Sequence, residues 1–156
     1  MHLESRYSRA TFQASYTLSG AYAYGGAAAG ATGGQGPQAR LNVDQPLTST
    51  EWGPTLTDER HRVVLSAVIN APGGVQVSPV FQVGSARPYN LSAGRDLNGD
   101  AAVDRYLDPA TGQIVGINAA RGEATYNLDT RVTKFFDLGS TARRIGLFAE
   151  FYNITN

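Results

Sequence analysis

The sequence predicts an all-β chain, a partial antiparallel transmembrane β-barrel of outer-membrane type with about five visible strands and two long external loops. Three observations predict it. Short segments alternate apolar and polar residues with the period of two that a half-wetted strand requires. The connections between them follow a rhythm of long, short, long, short. Glycine supplies 18 of the 156 residues, which favours strands and irregular loops over helices. No stretch approaches the roughly 18 apolar residues that a membrane helix needs, whereas a barrel strand needs only about 9–11.

The first strand is predicted at Ala10–Leu18, where Ala10, Phe12, Ala14, Tyr16 and Leu18 share one face and Thr11, Gln13, Ser15 and Thr17 the other. A soluble sheet would bury that apolar face in a core, and a barrel would give it to lipid. From Ser19 to Glu59 the composition changes to glycine and alanine runs followed by Pro46 and Pro54. A connection of this length is unusual in a compact soluble domain and ordinary outside a large barrel. Trp52 and the prolines predict that its later part packs locally.

A second strand over about His61–Ile69 has valine on both faces, so its alternation is blurred. Ala71-Pro72-Gly73-Gly74 predicts a tight reversal. The third strand, Val75–Val83, sets Val75, Val77, Pro79, Phe81 and Val83 on one face; Pro79 lacks a ladder donor and predicts a bulge or broken pairing. Gly84–Gly122 forms the second long connection. The fourth strand, about Ala124–Lys134, alternates Tyr126, Leu128, Thr130 and Val132 with Asn127, Asp129, Arg131 and Thr133. After a turn near Asp137-Leu138-Gly139-Ser140, the fifth strand, Arg143–Tyr152, opposes Ile145, Leu147, Ala149 and Phe151 to Arg144, Gly146, Phe148, Glu150 and Tyr152.

External loops of such barrels are long and periplasmic turns short, so the rhythm orients the five strands. The charges at Asp129, Arg131, Arg144 and Glu150 suit a hydrated interior and would be costly in hydrocarbon. An ordinary sheet with a wet outer face would also accept them. Five strands in lipid would leave two unpaired edges, so residues 1–156 read as a fragment of a larger barrel. Met1-His2-Leu3-Glu4-Ser5-Arg6 lacks the apolar core of a signal peptide, so either the targeting segment lies upstream or the membrane reading is wrong. Thirteen basic and thirteen acidic residues cancel, which gives no support to a nucleic-acid partner. Cysteine is absent, which excludes disulfides and thiolate metal sites.

Four segments together resemble the TonB-dependent outer-membrane transporters, in particular the Oar-like receptor group: Phe12–Ser19; Asp58–Ser66; Gly84–Asn90 followed by Gly94–Asp100; and Asn127–Lys134 with Leu147–Asn153. The resemblance covers nearly the whole chain. It implies the C-terminal part of a large barrel, with the plug domain, the energy-coupling segment and the terminal barrel strand absent from this sequence. It further implies a place in the bacterial outer membrane and energised uptake of an unidentified solute. The partners it implies are outer-membrane lipid, the remainder of the barrel and plug, and the TonB system acting through the missing regions. On this reading the two long connections take part in recognition, with Arg87, Tyr89 and Asp96 near the outer rim as substrate contacts. Two alternatives stand beside it: a soluble or surface-exposed all-β binding module, and a structural outer-membrane barrel without energised transport.

The sharpest local motif is Asp96-Leu97-Asn98-Gly99-Asp100-Ala101-Ala102-Val103-Asp104. Its oxygen-bearing side chains resemble the start of a calcium loop, with Asp96, Asn98, Asp100, the Ala102 carbonyl and Asp104 as ligands. The twelfth position, however, is Leu107, and no helices flank the loop. The competing reading is an Asx-rich turn that caps its own backbone, with Arg105 balancing the charge. No cofactor is required, and Ca2+ is the one candidate. His2 and His61 form no metal cluster. Ser66 lacks the nucleophile elbow of a serine hydrolase, and the glycines between Gly25 and Gly36 match neither a P-loop nor a dinucleotide fingerprint. The chain therefore reads as a non-enzyme. Tyr7, Tyr16, Tyr89, Tyr126 and Tyr152 are candidates either for an interfacial aromatic girdle or for ordinary cross-strand packing.

Overall fold

A computed structural model of the chain describes residues 1–25, 47–99, 103–139 and 143–155. Apart from one short 3-10 turn at Ser49–Glu51, the regular structure among them is strand. In chain order the strands are β1 (His2–Arg6), β2 (Ala10–Leu18), β3 (Tyr22–Tyr24), β4 (Trp52–Pro54), β5 (His61–Ala71), β6 (Val75–Gly84), β7 (Pro88–Tyr89), β8 (Leu107–Asp108), β9 (Gln113–Ile114), β10 (Ala120–Arg121), β11 (Thr125–Asp137) and β12 (Arg144–Phe151). The chain divides into two units. One comprises Met1–Leu18, His61–Ser85 and Ala124–Asn156; the other comprises Ser19–Arg60 and Ala86–Glu123, the two long connections.

The first unit is a six-stranded antiparallel sheet in the order β1-β2-β5-β6-β11-β12. It contains one strand more than the sequence predicts. Strand β1 pairs with β2 from His2↔Ser15 to Arg6↔Thr11, across a turn in which the Tyr7 amide donates to the Ala10 carbonyl at 2.7 Å. His2, assigned to no element by the sequence, stands inside this strand. An edge strand needs no apolar pattern of its own, and here Leu3 is the only large apolar side chain between His2 and Arg6. The remaining strands lie where expected, with ends differing by up to three residues. Pro79 makes no bulge. Pairing of β5 with β6 lapses between Ser66↔Val80 and Ile69↔Val77, three residues along each strand, and resumes in the same register.

Register decides which residues share a face. Leu3 stands opposite Ala14, Ala14 opposite Leu65, Leu65 opposite Phe81, and Phe81 opposite Leu128. Farther along, Val132 links Val77 to Ala149, and Thr130 links Pro79 to Phe151. One face of the sheet is therefore apolar across all six strands, because strands of period two are joined without a slip. Residues expected on that face from four separate segments all meet there. Among the described residues, no layer of apolar side chains closes over it. Phe12 is 43% exposed, Phe151 52% and Leu147 63%, and Ile117, in the other unit, is the one fully buried hydrophobic side chain among the described residues.

Charge is segregated accordingly. Arg131 lies directly opposite Glu150 on the other face, with 3.7 Å between their charged groups, and Arg62 bonds Gln82 at 2.8 Å. Two phenylalanines on this polar face lie under cations: Arg131 is 4.0 Å from the Phe148 ring centre and Arg144 is 4.9 Å from that of Phe135. Such contacts keep an aromatic ring compatible with a wet, charged surface. Lys134 is the exception on the apolar face. It stands at the turn end, where its ammonium reaches the Gly73 carbonyl and the Phe136 ring. Glycine is required at that turn. Gly74 has φ +74°, and a Cβ there would approach the Phe135 carbonyl oxygen to 2.9 Å.

The tyrosines separate by position. Tyr16 and Tyr126 lie on the apolar face near its end opposite Lys134, and Tyr16 bonds the His61 ring at 2.8 Å. Tyr7 meets Phe12 edge-to-face, and Tyr152 turns its hydroxyl to Glu150 at 2.7 Å. Tyr89 belongs to the second unit.

Candidate functional site: the folded loops

The two long connections, read from the sequence as largely irregular, build a unit of their own. Its first piece is the β3–β4 ribbon, paired Tyr22↔Pro54, Ala23↔Gly53 and Tyr24↔Trp52. Period two gives this ribbon two unlike faces. On one side Gly53 is buried against Ile117, and a Cβ at Gly53 would stand 2.5 Å from the Ile117 side chain and 2.6 Å from its carbonyl oxygen. Only glycine lets the ribbon sit that close. On the other side Tyr22, Tyr24 and Trp52 are each about half exposed.

The unit's interior is ionic more than oily. Arg105 grips Glu51 with both terminal nitrogens, at 2.9 and 3.2 Å, and the two side chains are 1% and 0% exposed. The contact joins the first long connection to the second. A bidentate guanidinium–carboxylate pair is the geometry in which a buried ion pair best offsets its desolvation. Sequence reasoning assigned Arg105 to its neighbouring acidic turn. The partner lies 54 residues away, and no local pattern signals it.

A second knot forms around Asp58, which is 1% exposed. Its carboxylate accepts the Ala21 amide at 2.9 Å and Arg121 at 3.0 Å, with Arg60 at 3.6 Å. Burial pushes this carboxyl up. The Ala21 amide, the Arg121 hydrogen bond and the charges of Arg60 and Arg121 more than offset that, and its pKa lies below the usual carboxylate range. Asn118 adds a third link, with its amide donating to Asn90 at 2.9 Å and its side chain to the Pro54 carbonyl at 2.8 Å. Its φ of +49° is a left-handed conformation that asparagine tolerates better than most residues.

The sequence-predicted contacts all fall in this unit. Arg87 is exposed and pairs with Glu59 at 3.1 Å, so its charge helps hold the two connections together. Tyr89 stands on β7 opposite Ala120 and is 45% exposed. Asp96 sits in an exposed turn, where one carboxylate oxygen accepts the amides of Asn98 at 3.0 Å and Gly99 at 2.6 Å. Asp104 is 2% exposed and accepts the Leu97 amide at 2.6 Å. These bonds are the backbone capping that competes with the calcium reading. Asp100 and Ala102, two of the five expected ligands, lie outside the described residues, as does the glycine–alanine run over residues 26–36. Among the described residues, no group of three or more His, Asp or Glu side chains is placed to hold a metal.

Sequence reasoning took Trp52 as a sign of local packing but missed Tyr22 and Tyr24 and the cluster the three rings form. The Tyr-x-Tyr spacing is a strand signal, but it is only three residues long and runs straight into glycines. What the unit offers chemically is a fixed, mixed polar and aromatic surface suited to non-covalent capture.

Two stability outcomes follow from the buried charges. Arg105→Met strands the Glu51 carboxylate and should cost about 3–5 kcal/mol in equilibrium unfolding, while Glu51→Leu combined with Arg105→Met should recover most of it. A single-variant loss under about 1 kcal/mol would contradict burial of the pair. For Asp58, a depressed folded-state pKa means its stabilisation is fully present above the ordinary carboxylate pKa, about 4, and is lost as pH falls through the lower folded value. Unfolding free energy measured across that acid window should be less pH-dependent in Asp58→Asn; an unchanged slope would remove Asp58 as the cause.

Compared with known proteins, the chain matches no family model, no curated protein and no solved structure.

Proposed function

We propose that the chain forms part of the wall and outer loops of a TonB-dependent receptor-transporter of the Oar-like kind, in a bacterial outer membrane. The observation that carries this reading is the unbroken apolar face running over six strands while its large side chains stay exposed. Soluble monomers rarely expose a contiguous apolar patch beyond a few hundred Å2, and this one runs over six strands. In a bilayer it is the lipid-facing wall, and the charged opposite face lines a hydrated or plugged interior. The sheet's edges, β1 and β12, then need partner strands, because hydrocarbon satisfies no backbone N–H or C=O. Further strands of a larger barrel supply them on this reading.

The connections support the same orientation. Strands β1 and β2, β5 and β6, and β11 and β12 are joined by short turns, while both long excursions leave from the other end. That is the asymmetry of periplasmic turns and external loops. The loop unit would capture the solute without covalent chemistry, and the plug and TonB system would move it inward with force supplied from the inner membrane.

Expression in its native reading frame, in an outer-membrane host, tests the proposal. The protein should require detergent for extraction and migrate faster in electrophoresis when unheated. Leu147→Asp places a charge on the lipid face and should reduce the assembled, heat-modifiable fraction by about tenfold or more, equivalent to about 1.4 kcal/mol. Thr130→Val, on the same face, should assemble normally. Extraction as a water-soluble species, or full assembly of Leu147→Asp, would favour the soluble binding module.

A further inference from the structure

We infer that the outward face of the β3–β4 ribbon is a saccharide-binding platform, with Tyr22, Tyr24 and Trp52 as the stacking surface and Arg60 as the hydrogen-bonding rim. The inference deepens the proposed role of the loops in capture and rests on it. Trp52 lies between the two tyrosines. Its ring centre is 6.1 Å from that of Tyr22 at an interplanar angle of 24°, and 4.9 Å from that of Tyr24 at 57°. At those separations the three rings pack side against side as one aromatic cluster. All three are 45–50% exposed.

The ribbon is built to present them. Its inward residue, Gly53, is packed against Ile117 too tightly to accept a methyl group, so the aromatic side has one direction left to face. A fixed backbone under large rings that have few rotatable bonds reduces the ordering cost of binding.

The rim narrows the ligand chemistry. Arg60 bonds the Tyr22 hydroxyl at 2.5 Å, and its guanidinium carbon is 5.4 Å from the Tyr22 ring centre. A cage for a quaternary ammonium ligand would not keep its own cation beside the ring, since the two cations repel. Asp58, shared with Arg121, offsets part of that charge, and Arg60 is already engaged with the Tyr22 hydroxyl, so the rim does not select strongly for an anion. A neutral ligand remains, with an apolar flat side for the rings and a polar edge for a planar fork of donors. A pyranose ring has that form, with C–H groups on one face and hydroxyls around its edge. Vicinal hydroxyls would meet Arg60, the Tyr22 hydroxyl and the Trp52 indole N–H.

Trp52 is the chain's single tryptophan, so its emission reports on this platform. The protein and its Trp52→Phe variant, whose difference isolates the Trp52 emission, should be titrated with malto-, cello- and chito-oligosaccharides. At least one series should change Trp52 fluorescence saturably, with a dissociation constant of about 1 mM or tighter. Calorimetry should show Tyr24→Ala weakening that binding by about tenfold, Tyr24→Phe matching the parent, and Tyr106→Ala leaving it unchanged. Circular dichroism of the variants should match the parent, which separates loss of the platform from loss of the fold. Silence toward all three series, undiminished binding by Tyr24→Ala, or a response to a tetraalkylammonium salt in their place would overturn the inference. Detergent extraction and heat-modifiable migration are read without any sugar, so failure of the barrel reading is distinguished from failure of this one.

Discussion

Everything in the sheet follows from one constraint, the strict alternation of side chains along a strand combined with antiparallel pairing that never slips. A shift of one residue between any two neighbours would turn one strand's apolar set to the opposite face. The registers linking Leu3, Ala14, Leu65, Phe81 and Leu128 show that no such shift occurs. The sheet therefore separates oil from charge as a two-layer protein does, but with no second layer among the described residues. Its stability in water would lack the largest favourable contribution to folding, burial of apolar area. In the proposed barrel, lipid contact and neighbouring strands would restore what a core provides.

The loop unit answers the opposite problem. Connections rich in glycine and polar residues have little apolar area to bury, and Ile117 is the lone buried hydrophobic side chain among those described. Cohesion comes instead from charges placed far apart in sequence and close in space: Glu51 with Arg105, Asp58 with Arg121, and Glu59 with Arg87. Each pair joins the first connection to the second. The design suits a recognition surface, since side chains such as Tyr22, Tyr24 and Trp52 can remain exposed while the backbone beneath them is held.

The sequence was most legible where the physics is local. Period-two alternation located β2, β6, β11 and β12, and placed Thr130 and Leu147 on a common face before any register was known. In β5 it was ambiguous, because Val64 and Val68 occupy the wet face while Val63, Leu65 and Ile69 occupy the oily one. It failed for β1, an edge strand with one large apolar residue. It failed wholly for the loop unit, where the determining contacts span gaps of 28 to 64 residues. Arg87, Tyr89 and Asp96 lie in the loop unit, whose buried ion pair and aromatic cluster depend on long-range proximity that periodicity does not encode.

The most direct test is a single-cysteine scan along β11 in intact outer membranes, feasible because the chain has no cysteine of its own. With a water-soluble maleimide, cysteines replacing Asn127, Asp129 and Arg131 should label. Those replacing Leu128, Thr130 and Val132 should stay silent until the lipid is removed. Equal labelling at all six positions, or lipid-independent labelling of Leu128, Thr130 and Val132, would contradict a sheet whose oily face meets the bilayer.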